Sequence, residues 1–149
     1  MYNKILVPLD GSEISECSLT HVQAIATGCS VPEVALIKVI EPIPETGWIA
    51  ASERKDSEKR AREYAQDYLT KLAGKLEKKG IEVTTVIASG NIAEKILEYA
   101  QGNKIDLIIM STHGSSGVVR WALGSVADKV SRHASMPVLV IPPESCKQR

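Results

Sequence analysis

No long hydrophobic run occurs in this sequence. Its apolar stretches are strand-length, well short of the ~20 apolar residues of a membrane-spanning helix, so no membrane partner is expected. Charge of one sign is missing as well: Lys plus Arg and Asp plus Glu number 18 each. A balanced chain carries no global signal for nucleic acid, and any anion it binds must be held by local geometry. Cysteine is scarce. Cys17, Cys29 and Cys146 show no metal-type spacing, and an odd number without a secretion signal argues for reduced thiols in the cytoplasm. Cys17 and Cys29 read as small apolar residues on a helix, and Cys146 as an exposed tail thiol. The opening "MYNKILVPLDGSE" has one short apolar run and no cleavage-like site, which does not read as a signal peptide. A cytoplasmic protein is therefore expected.

With 149 residues, 44% of them apolar, the chain can bury a sizeable core. One domain spanning 1–149 is expected. Five short apolar runs alternate with helical patterns. The runs are Lys4 to Leu9, Glu33 to Ile40, Glu82 to Ala88, Asp106 to Ser111 and Pro137 to Pro142. Several are apolar at consecutive positions, as strands covered on both faces require. Between them, residues 15–29 can present Leu19, Val22, Ile25 and Ala26 on one stripe. Over 52–79, Ala61, Ala65, Tyr68, Leu69, Leu72 and Leu76 keep helical spacing, and Gly80 supplies a C-terminal cap. Asn91 reads as the N-cap of a helix ending at Gly102, and a last helix spans about 125–134. The alternation predicts an α/β fold, a doubly wound parallel sheet with helices on both faces. Glu41 to Ser52, with two prolines and Trp48, is too long for a usual βα loop. It reads either as a surface excursion with Trp48 packed down or as a flap over the carboxyl edge of the sheet.

In open α/β sheets ligands sit beyond the carboxyl ends of the strands, at the switch in winding direction. Two exits carry unusual chemistry. The first, "PLDGS", puts Asp10 at the end of its strand. The fourth is "MSTHGSSGVVRWALGS", from Met110 to Ser125. Gly114 and Gly117 permit positive φ and close main-chain approach, while Gly124-Ser125 opens the last helix, whose free N–H groups favour negative charge. Ser115, Ser116 and Ser125 add hydroxyls. This is either a plain loop or a phosphate cradle, since glycine and serine are common in loops. It lacks the Gly-Lys-Ser/Thr of a P-loop. An aspartate facing it suits ribose hydroxyls, so Asp10 fits a nucleoside better than bare phosphate. His113 reads as a loop-stabilising residue. Arg120 reaches a phosphate oxygen or faces water, and Trp121 and Leu123 pack the loop down.

The segments "ILVPLDGS" and "STHGSSGVVRWALGSVADKVSRHASMPVLVI" resemble the universal stress protein family across essentially the whole chain. Its ATP-binding members carry Gly-x-x-Gly, nine residues, then Gly-Ser or Gly-Thr. Here Gly114, Gly124 and Ser125 match, and Ser111 replaces the first glycine. If that position requires positive φ the serine is costly; if it requires only a small side chain the serine is tolerated. The resemblance implies strand order 3-2-1-4-5 and adenine near Pro8, Leu9 and Val39, the last offering main-chain groups to its edge. It also implies Asp10 on the ribose, and phosphates on the main chain around Gly114, Gly124, Ser125 and Val126. With Met110, Ser111, His113, Ser115, Gly117 and Arg120 these form the expected nucleotide-binding set. ATP with Mg²⁺ is the implied ligand, and Val138 to Ile141 the homodimer edge. A regulatory, non-enzymatic module acting on an unnamed protein partner follows. A dimeric scaffold without nucleotide, and a slow ATPase or phosphotransferase, are the alternatives.

Overall fold

The computed structural model describes residues 1–112 and 123–146. Five strands, β1 (Lys4–Pro8), β2 (Glu33–Ile40), β3 (Glu82–Ser89), β4 (Leu107–Ser111) and β5 (Val138–Ile141), form one sheet in the order β3-β2-β1-β4-β5. Every pairing is parallel. The winding runs from β1 outward to β3, crosses back to β4 and ends at β5. The reversal thus falls between β1 and β4, and sequence and structure agree on the fold.

Alternation along the strands sorts side chains onto two faces. Ile5, Val7, Val34, Leu36 and Ile109 point to the face covered by α2 (Ser18–Gly28) and α3 (Ala51–Glu77). Leu6, Ala35, Ile37, Ile108 and Met110 point to the face covered by α4 (Ile92–Gly102) and α5 (Ser125–His133). The central strands are buried on both faces, which explains their continuous apolar runs.

Caps behave as their chemistry requires. Asn91 Oδ1 accepts from Glu94 N at 3.1 Å, opening α4. Gly80, at φ +82°, ends α3, with Ile81 N donating to Leu76 O at 3.3 Å. The expected helix over 15–29 is instead two pieces. Ser12 caps a short α1 (Glu13–Glu16), and Cys17, itself in the right-handed helical region, separates it from α2. Gly102 is the last residue of α4, but the left-handed residue is Lys104, at φ +55°.

Three sequence expectations are corrected. Trp48 does not pack down: it is 95% exposed. The prolines at 42 and 44 favour extended backbone before them, and the Glu45–Arg54 ion pair at 3.1 Å ties this segment to the start of α3. Leu123 is also exposed. Cys17 is not a reduced thiol but is disulfide-bonded, whereas Cys29 is free. Disulfide formation depends on two Cβ atoms meeting at about 3.5–4.5 Å, a condition set by the fold and not by spacing in the sequence. Trp121 and the side chain of Cys146 lie outside what is described. Among the described residues no helix is long and apolar enough to cross a membrane.

Candidate functional site

β1 ends at Pro8, and Leu9 N still donates to Ile37 O at 2.9 Å, so Leu9 continues along β2. The chain then turns through Asp10, Gly11 and Ser12. Gly11 takes φ +93°, a conformation that disfavours other residues. Asp10 Oδ1 accepts from Ser12 N at 2.9 Å and from Ser12 Oγ at 2.6 Å. Ser12 Oγ in turn accepts from Ser15 N at 3.1 Å, the N-cap bond of α1. Ser15 closes the turn: its Oγ donates to Ser12 O at 2.9 Å and accepts from Asp10 N at 3.3 Å. Five short-range bonds thus set the direction of the Asp10 carboxylate.

The fourth strand exit lies beside it. Ser111 is the last residue of β4, pairs with Ile141 of β5 and is buried. Its φ is not positive, so serine is under no backbone strain where the family motif has glycine. Gly124 N donates to Thr112 O at 3.0 Å, joining the exit of β4 to the start of α5. Gly124 is the N-cap of α5, at φ −56° and ψ 152°, and no side chain caps that helix. The glycine here is not in a left-handed backbone. Asp128 N donates to Gly124 O at 2.8 Å as the first helical bond. Val126 and Ala127, in the uncapped first turn of α5, lie at the crevice.

A cavity of about 200 Å³ occupies the crevice on the α4–α5 face. The structure brings together Pro8, Leu9, Asp10, Val39, Met110, Ser111 and Val126 around it, with Gly124 and Ser125 at the adjoining helix start. His113, Gly114, Ser115, Gly117 and Arg120 lie outside the described residues. Ser15, Ile37, Thr112 and Ala127 also line the cavity, as do Ile92 and Ile96 of α4, and sequence reasoning missed them. Ile92 and Ile96 stand one helical turn apart behind the Asn91 cap, so the stripe was visible but not the crevice it would face. No residue of 41–52 lines the cavity. Among the described residues Asp10 is the only acid in its lining, and no group of three His, Cys, Asp or Glu could hold a metal.

Two strand exits and a helix start converge at the reversal of the parallel sheet, the place where open α/β sheets generally receive ligands. The universal stress protein family model matches residues 1–142. The chain belongs to that family. It is 36% identical over 141 residues to universal stress protein MJ0531 of Methanocaldococcus jannaschii, covering 95% of this chain and 82% of the relative. The solved structure of MJ0577, from the same organism, superposes with a TM-score of 0.84 at 33% identity, covering 95% of this chain and 96% of that one. An Arabidopsis thaliana universal stress family protein with AMP bound shares the fold at 18% identity, with a TM-score of 0.68 and coverage of 94% and 91%.

Proposed function

We propose that this protein binds ATP as a regulatory ligand and acts through the conformation the nucleotide sets. One observation carries the reading: a single crevice joins an aspartate aimed by its own turn, an apolar pocket and the open N-terminus of α5. The apolar walls, Pro8, Leu9, Val39 and Met110, suit a purine. Asp10 can only accept hydrogen bonds when ionised, and ribose hydroxyls can donate them. Ser111, Gly124, Ser125 and Val126, continued by the glycine-serine loop, suit the phosphates. That a protein of the same fold holds AMP is in keeping with this.

With one acid in the lining, Mg²⁺ would be held chiefly by the phosphates themselves and by water. Positioned cations and a nucleophile-orienting group, which phosphoryl transfer needs, are not supplied by the described lining, and we propose a ligand role rather than turnover. The proposal includes a homodimer paired along Val138–Ile141, where β5 has a partner strand on one side only.

Calorimetry on nucleotide-stripped protein, with ATP and then AMP, with and without Mg²⁺, tests the reading. Saturable ATP binding that is weakened about tenfold or more in Asp10→Ala, and abolished in Gly124→Lys, is expected. Absence of heat at millimolar ATP would leave the dimeric scaffold in its place.

A further inference from the structure

We propose that Lys38 is a positioning residue for the nucleoside end of the site, holding the Asp10–Gly11 peptide from the far side of the sheet so that the Asp10 carboxylate stays aimed at a ribose. This rests on the nucleoside reading given above and adds a residue that lies outside the cavity.

Lys38 stands in β2 between Ile37 and Val39, both of which line the cavity. Strand alternation therefore sends its side chain to the opposite face, with Val34 and Leu36, toward α2 and α3. A lysine is out of place on that face. It is half-buried, and burial pulls its pKa below the ordinary 10.5 although the Asp10 charge opposes this. An apolar residue would serve the core better, since desolvating an ammonium disfavours its charged form.

What the ammonium does there is specific. Nζ donates to the Asp10 carbonyl at 2.9 Å and lies 6.0 Å from the centre of the Tyr68 ring, within range of a cation–π contact. The Asp10–Gly11 peptide is also the one most free to rotate in this turn. Glycine accepts either sign of φ, so the peptide could flip with little penalty at Gly11 and carry the aspartate with it. Two clamps oppose the flip. Ser12 holds the carboxylate on the cavity side, and Lys38 holds the carbonyl behind it. A Cβ at Gly11 would lie 3.7 Å from Nζ, so the ammonium is packed against the hinge itself.

Titration of ATP and of 2′,3′-dideoxy-ATP into the wild type, Lys38→Met, Lys38→Arg, Asp10→Asn and the Lys38→Met/Asp10→Asn double variant tests this, with a thermal melt of each. The wild type should prefer ATP by about tenfold, the worth of a charge-assisted bond to a hydroxyl. Lys38→Met should lose most of that preference without a fall in Tm, because it removes a partly desolvated charge and keeps the apolar stem over Tyr68. Lys38→Arg, which can still donate to the carbonyl, should recover part of it. In the double variant the two losses should not add. An undiminished preference in Lys38→Met would overturn the proposal. So would an equal loss for both nucleotides accompanied by a lower Tm, the signature of a merely structural lysine. A wild type that binds neither nucleotide removes the nucleoside reading at the first titration, and this proposal with it.

Discussion

Glu33 and Lys4 show how a single pair ties strands together and responds to pH. Lys4 Nζ lies 2.8 Å from Glu33 Oε1 across the β1–β2 ladder, and Thr84 of β3 donates to the same oxygen at 2.9 Å. The hydrogen bond from Lys4 holds the Glu33 carboxyl below its ordinary 4.5 against the opposing pull of desolvation. The same bond raises Lys4 above 10.5. A carboxyl lowered in the folded state contributes stability that is fully present above pH 4.5 and is lost as pH falls through its folded value. For the raised lysine, the contribution is present below pH 10.5 and lost as pH climbs through the folded value. Melting temperatures followed from about pH 7 to about pH 3 should therefore fall more steeply for the wild type than for Glu33→Gln. Parallel curves would mean that the pair adds nothing. Ser111 teaches a related point at this scale: a departure from a motif glycine is harmless where the backbone is extended.

Helix ends show where local chemistry is well matched to the fold and where it is not. α3 ends on Gly80 at φ +82°, whereas α4 reaches its left-handed position at Lys104, φ +55°, and α2 at Ser30, φ +53°. An L-residue in that region costs about 1 kcal/mol or more, and glycine avoids the cost. Lys104→Gly should accordingly raise the stability by about 1 kcal/mol, and Gly80→Ala should lower it by a similar amount. Urea midpoints would register both, and shifts of the same sign would refute this account of the caps. The glycine of α4, Gly102, stands two residues too early, where it gains nothing from its freedom.

At the scale of the whole molecule the two edges of the sheet are β3 and β5. β5 is short, and Leu139 at its centre is 37% exposed. An unpaired edge with apolar residues is a template for another strand, and the proposed homodimer would use it. Leu139→Asp should shift the mass measured by light scattering from dimer to monomer at micromolar concentration, since like charges would meet across the two-fold axis. A wild type already monomeric there, or a variant that stays dimeric, would place the interface elsewhere or remove it.

Much of this architecture was legible before any coordinates. Consecutive apolar runs announced strands buried on both faces, and Asn91 and Gly80 marked helix ends through bonds made within a single turn. Asp10 stands out because it leaves a strand at the edge where parallel sheets bind ligands, and Ser111 through the resemblance to the family motif. Those signals are local, depending on residues a few positions apart. Ile92 and Ile96 closing the cavity, Lys38 reaching through to Asp10, Trp48 left in solvent and Cys17 in a disulfide were decided by the tertiary structure alone. Each depends on which surfaces meet across tens of residues of chain. Packing settles that question, and neither periodicity nor propensity encodes it.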